Sequence, residues 1–223
     1  MSIRQTSLVV GEFYHIYNRG NSKQKIFLDK KDHQRFIDLL CAVNNEKKFN
    51  FSDSEKGISV YERTQENPLV AIGAYCLMPN HFHILMTPLV EEGTSKFMQK
   101  LSTAYVMYFN KKYKRTGGLF EGKFKAEHAA TDRHLKYLFS YIHLNPLKKI
   151  QKNWKEKDLK YEKQANERLL TYPYSSFFDY MGEKRIQNKI LNKTPFPDYF
   201  KTRKDFLEEI REWISFRKSS GKT

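Results

Sequence analysis

At 223 residues the chain is long enough for one domain with a substantial core and an appendage, and too short for two full domains. Its 40 Lys+Arg against 25 Asp+Glu give a formal net charge of +15 and a pI of about 9.6, a balance that favours a polyanionic partner. No apolar stretch approaches the roughly 20 residues that span a bilayer, the start lacks a signal-peptide apolar region, and no basic amphipathic helix suits a membrane surface, so a soluble cytoplasmic protein with no membrane partner is expected.

Residues 8–18 alternate around Tyr14, Ile16 and Asn18 and predict a first strand, closed by the turn signal Arg19-Gly20-Asn21. Asp29 then opens a helical pattern with Phe36, Leu39, Leu40 and Val43 on one stripe. Residues 53–67 are polar, carry Gly57 and predict a surface loop or hairpin. Between Pro68 and Pro88 two apolar runs flank Pro79-Asn80, which predicts two adjacent strands or one bent strand. Thr94 or Ser95 is the expected cap of a long helix running to about Lys114, with Phe97, Leu101, Ala104, Tyr105 and Tyr108 on its apolar face and Gly117-Gly118 ending it.

Residues 119–130 predict a further strand, and Thr131 or Asp132 the cap of a helix carrying Leu135, Phe139, Tyr141, Ile142 and Asn145, stopped close to Pro146. The resulting β-α-β-β-α-β-α order lacks the regular repeat of a parallel sheet. It predicts the α+β class, an antiparallel sheet with helices packed mainly on one face. Beyond Pro146, residues 147–167 are dense in Lys and Glu around Trp154 and Leu159, which fits a solvated helix face or a phosphate-tracking surface. Residues 172–181 and the amphipathic run FLEEIREWISF predict a C-terminal helical tail that folds back on the core or on a partner. The division expected is therefore a catalytic domain over 1–150 and a basic tail over 151–223 that packs on it.

The chemistry is concentrated in two segments. Side chains alternate along a strand, so His81 and His83 of MPNHFHILM face the same way and can share a divalent cation. Residues four apart on a helix are neighbours, so Tyr141 and Asn145 of YIHLNP share a face. Docked together they supply two imidazoles, an amide oxygen and a phenol, the parts for metal-assisted attack on a phosphodiester by a tyrosine. Nitrogen and oxygen donors of this kind suit Mg²⁺ or Mn²⁺. A His-x-His pair alone also fits two structural histidines, and the helix segment alone fits a packed tyrosine; the combination is the specific signal.

Lys111, Lys112, Lys114, Arg115, Lys123 and Lys125 flank the glycine turn and form the expected phosphate-binding patch. The 14 Tyr and 17 Phe interleaved with basic residues allow base stacking, although most such rings belong to cores. Glu127 and His128 are rival metal ligands or proton carriers, Tyr137 is the rival nucleophile, and His143 is expected to face away from Tyr141. Cys41 and Cys76 sit in apolar runs outside any Cys-x-x-Cys pair, which predicts reduced, buried thiols.

MPNHFHILM, YNRGNSKQKIF, the run around GGLFEGKFKA, YIHLNPLKK and YPYSSFFDYM together resemble the single-tyrosine HUH transposases, most closely the REP-associated tyrosine transposase branch. The resemblance covers about residues 8–150 and 172–181. It implies a ferredoxin-like sheet, His81 and His83 as metal ligands completed by Asn145, where insertion-sequence members carry Gln, and Tyr141 as nucleophile. It further implies cutting of single-stranded DNA beside a hairpin with a 5′-phosphotyrosine and a free 3′-hydroxyl, and places His15, Asn18 and Arg19 in a family segment that touches DNA or supports the site. Insertion-sequence members swap helices in a dimer and repeat-associated members act as monomers; a monomer is expected here, with a homodimer as the other state. Two other readings fit the residues: a non-catalytic single-stranded nucleic-acid-binding module, and a metal-dependent phosphodiesterase that uses water.

Overall fold

In a computed structural model, residues 7–47, 60–62, 67–149 and 167–215 are described. The expectations for 147–167 and for the loop at 53–67 fall largely outside them.

Four strands form one antiparallel sheet in the order β2-β3-β1-β4. They are β1 (Tyr14–Arg19), β2 (Val70–Met78), β3 (His81–Pro88) and β4 (Lys125–His128). Helix α1 (Lys30–Ala42) links β1 to β2, and α2 (Gly93–Tyr113) links β3 to β4. This βαββαβ order, with β1 and β3 central, is the ferredoxin-like topology. Helix α3 (Asp132–His143) follows β4, and α4 (Arg203–Ser215) lies near the C-terminus.

Strand alternation assigns the two faces. Ile16, Ile72, Phe82 and Ile84 pack against Phe36 and Leu40 of α1 and Phe97, Leu101 and Tyr105 of α2. Helices α1 and α2 thus share one face, as expected. The opposite face is also buried: Ala71, Ala74, Cys76 and Leu85 lie under Leu135, Leu138, Phe139 and Ile142 of α3. That second layer explains why β2 is buried along its whole length, and Cys41 and Cys76 are both buried, as expected.

Segments after residue 167 complete the α3 layer. Ser176 Oγ accepts from Tyr75 N at 2.9 Å, and Tyr180 donates to the Gly73 carbonyl at 2.7 Å. The β2 register slips between Ile72 and Ala74, and a Cβ on Gly73 would stand 2.8 Å from the Phe196 ring, so glycine lets that ring close on the sheet. Helix α4 is tied to α3 by Lys136 and Glu209 at 2.6 Å and by Trp213 against Tyr137, ring centroids 4.8 Å apart.

Several local expectations shift. The first strand starts at Tyr14, six residues long, and only Lys125–His128 of the 119–130 segment pairs as a strand. Helix α2 begins earlier than its expected cap, with Glu92 in the left-handed region at φ 58° and Thr94 already buried inside the helix. Thr131 does cap α3, accepting from His134 N at 3.1 Å.

The α1 N-terminus rests on a buried charge. Asp29 and Asp32 cap each other's backbone N–H groups at 3.0 and 3.3 Å. Asp32 also accepts from Leu28 N at 2.8 Å, Tyr113 Oη at 2.7 Å and Lys112 Nζ at 2.6 Å. Burial pushes the Asp32 carboxyl up, but Lys112, the Leu28 N–H and the Tyr113 hydroxyl outweigh it and hold it below the usual range. A folded pKa below the unfolded one stabilises fully above about pH 4 and fades as the pH falls through the folded value. Asp32→Asn is expected to cost about 3 kcal/mol, because the Lys112 charge keeps only the half-exposed Asp29 and the buried hydrogen bonds to the Asp32 carboxylate are weakened. For a domain of this size that is a drop of roughly 10 °C in melting temperature, with a shallower acid limb; an unchanged melting curve would refute this role.

Candidate active site

The sheet face under α3 carries the histidines. In register, Tyr17 lies opposite His83 and Arg19 opposite His81. The two rings of the His-x-His pair stand 5.0 Å apart at 88°, on the same face as the alternation requires. Tyr141, in the last turn of α3, brings its ring edge-on to His83 and to His15, each at 5.6 Å. The strand pair and the helix tyrosine therefore converge as the sequence predicts.

Asn145 arrives by a different route from the one expected. Helix α3 ends at His143, and Asn145 opens a 3-10 turn, Asn145–Lys149, that accommodates Pro146. Its Nδ2 donates to the Tyr141 carbonyl at 2.8 Å, which keeps the amide beside the tyrosine. Asn145 is fully buried, and its Oδ1 has no hydrogen-bond partner among the described residues. An acceptor of this kind is costly to bury unless something else uses it.

The tautomer of His81 follows from its neighbour. Asn80 Nδ2 donates to the Lys23 carbonyl at 3.2 Å, which orients Asn80 Oδ1 to accept from His81 Nδ1 at 2.7 Å. A neutral His81 then keeps its lone pair on Nε2. Burial first, then Lys148 and Arg19, push the His81 pKa down to about 4, so the ring is neutral near pH 7. Among the described residues no cluster of three or more His, Cys, Asp or Glu has metal-holding geometry. The buried Asn145 Oδ1, without a hydrogen-bond partner among the described residues, is the oxygen donor expected from the sequence beside the two imidazoles, a donor set whose chemistry suits a hard divalent cation.

The Tyr141 hydroxyl is a reluctant acid. Burial is the main cause, with Tyr137, Glu127 and Tyr17 adding to it and the Asn145 amide opposing it, and its pKa is pushed up to about 12. Lys148 Nζ lies 5.7 Å from the Tyr141 ring centroid, and burial lowers its own pKa. Lys148 joins Tyr17, Arg19, Lys23, His81, His83 and Lys125 around an open groove of about 300 Å³. Glu121 is the acid in its wall, holding Arg19 through two hydrogen bonds.

The residues expected to touch DNA separate in space. Arg19 and Lys125 line the groove. Asn18, 5% exposed, contributes to the groove's floor, whereas His15, 3% exposed, does not line it. Asn18 bonds to the Gly122 carbonyl and the Arg19 N–H, and so braces the loop before β4. Lys112 is spent on Asp29 and Asp32 within the α1–α2 layer, a correction to its place in the patch. Lys111, Lys114 and Lys123 are exposed, and Arg115 lies over the Phe109 ring at 5.5 Å. His143, as expected, faces away: it is buried with Nε2 2.7 Å from Ser176 Oγ. Lys23, Asn80 and Lys148 were not singled out from sequence, although each stands inside a segment that carries the family resemblance.

Residues 39–145 match the family model described as "Transposase IS200 like", a span that includes His81, His83 and Tyr141 and closes on Asn145. A solved structure of a REP-associated tyrosine transposase bound to a REP hairpin is similar at 14% identity and a TM-score of 0.48, over 84% of this chain and 90% of that one. Comparison with curated proteins gives no match. Among the described residues no helix is long and apolar enough to cross a membrane.

Proposed function

We propose, from the premise that the chain belongs to the IS200-like transposase family, that it is a metal-dependent single-stranded DNA nicking and joining enzyme with Tyr141 as its nucleophile. The observation that carries this reading is the convergence of His81, His83 and Tyr141 beside a groove lined by Arg19, Lys23, Lys125 and Lys148. Its substrate, following the sequence resemblance to the REP-associated branch, is single-stranded DNA beside a hairpin or palindromic repeat.

His81, His83 and Asn145 would hold the cation. Bound there, a divalent ion would act as a Lewis acid on the phosphate and lower the barrier to attack. Tyr141 Oη bonds to the phosphorus and releases its proton; the P–O3′ bond breaks, and the 3′ oxygen leaves and is protonated. The products are a 5′-phosphotyrosine and a 3′-hydroxyl. Because the phosphoester bond is exchanged and not hydrolysed, a second 3′-hydroxyl can reverse the step and join strands. Lys148 supplies positive charge beside the phenol and the phosphate, and Lys23 and Lys125 hold the backbone that leads to it.

Incubation of the purified chain with end-labelled single-stranded hairpin DNA in Mn²⁺ or Mg²⁺, followed by denaturing electrophoresis, tests this directly. The expected result is a slow-migrating covalent species that a chelator abolishes. Cleavage without that species would favour hydrolysis by water. Salt-sensitive binding without cleavage would favour a non-catalytic single-strand-binding module.

A further inference from the structure

Behind the proposed metal ligands lies a second row of polar groups to which the nucleophile and metal roles give no part. His15 is directly opposite Glu127 on β4 and one pleat along from the Tyr17–His83 pair on β3. All three side chains point to the same face of the sheet. His15 Nε2 stands 2.8 Å from His83 Nδ1, and the two rings stack with centroids 5.0 Å apart. On its other side, His15 Nδ1 lies 3.5 Å from Glu127 Oε2.

We infer that Glu127 and His15 are positioning residues that fix His83 in the Nδ1–H tautomer and aim its Nε2 lone pair at the cation. The inference deepens the proposed function and rests on its reading of His83 as a ligand. Two imidazoles joined through one hydrogen bond need one donor and one acceptor, and the pair alone does not choose between them. An ionised carboxylate accepts only, and its charge 3.5 Å from His15 Nδ1, an approach longer than a hydrogen bond, favours the His15 tautomer with hydrogen on Nδ1. A neutral His15 then has only a lone pair at Nε2, and His83 must donate from Nδ1. That leaves His83 Nε2 deprotonated, the state a metal ligand needs. With the opposite polarity His83 would carry hydrogen on Nε2 and could not bind through it. Asn80 selects the same tautomer for His81, so each histidine of the pair has an acceptor at Nδ1. The second oxygen of Glu127 is 3.5 Å from His134 Nε2, which holds the carboxylate between α3 and the sheet.

The test begins with metal-free protein labelled with ¹⁵N-histidine, using long-range ¹H–¹⁵N correlations with His83→Gln to assign the signal. His83 is expected as the Nδ1–H tautomer in the wild type and as a tautomer mixture in Glu127→Ala. Calorimetric titration with Mn²⁺ then reads the consequence. His15→Phe keeps a ring but removes the acceptor, and is expected to weaken Mn²⁺ binding by about 10- to 100-fold. His15→Gln, whose carbonyl can still accept from His83, is expected to restore most of the affinity. An Nε2–H tautomer of His83 in the wild type overturns the inference, as does wild-type Mn²⁺ affinity in a folded His15→Phe. An unchanged His83 tautomer in Glu127→Ala removes Glu127 from the relay. Should His15→Phe not fold, the wild-type tautomer and the His15→Gln affinity decide the matter. Failure of the wild type to bind Mn²⁺ at all would overturn the reading of the metal site itself, which separates that failure from one of the relay.

Discussion

Tyr141→Phe is expected to abolish covalent attachment to DNA while leaving hairpin and Mn²⁺ affinity near wild type. The substitution removes one oxygen and keeps the ring that packs against His15, His83 and Tyr137, so the fold has little reason to change. Loss of the proposed nucleophile should lower the single-turnover rate by about 10⁴-fold or more. The rival is Tyr137, which stacks on Tyr141 at 5.7 Å but is also pinned against Trp213 of α4. Tyr137→Phe should therefore leave the covalent species intact. A pKa near 12 for Tyr141 means that about one phenol in 10⁵ is ionised at pH 7. On the proposed function, positive charge near Oη has to offset that reluctance, and Lys148 Nζ lies 5.7 Å from the Tyr141 ring centroid.

His83→Ala carries the second large effect. It is expected to lower the single-turnover rate by about 10³-fold or more even at high Mn²⁺, because two ligands cannot fix the cation against the phosphate. His83 is 5% exposed and is the point where β3, His15 and Tyr141 meet. On the proposed function, its loss removes one of the paired ligands and a ring that packs against Tyr141. Calorimetry should show Mn²⁺ binding weakened in step with the rate, with DNA affinity in the absence of metal unchanged. A variant that retains wild-type metal affinity would remove His83 from the ligand set.

Much of the fold could be read in the sequence because it follows simple periodicities. Alternation placed His81 and His83 on one face, and helical spacing placed Phe36, Leu39 and Leu40 of α1 and Phe97 and Leu101 of α2 in the core. The punctuation at Pro79-Asn80 gave the β2–β3 turn. What periodicity could not show depends on partners far away in the chain. Lys112 looked like one more basic residue beside the glycine turn, and only the approach of α2 to the α1 N-terminus commits it to Asp29 and Asp32. His15 alternated correctly on the first strand, but whether its face met solvent depended on α3 closing over it. The docking of α3 on the second sheet face followed from the histidine and tyrosine segments, whereas the closure of Phe196 over Gly73 had no signal in the sequence. Asn145 stood at the right spacing from Tyr141, yet Pro146 took it out of the helix and into the following turn.

The measurement that bears most directly on the central claim is mass spectrometry of the covalent protein–DNA species. After nuclease trimming and proteolysis, the nucleotide-bearing peptide should contain residues 137–148, and fragmentation should place the phosphodiester on Tyr141. Attachment at Tyr137, or at any residue outside α3, would contradict the account.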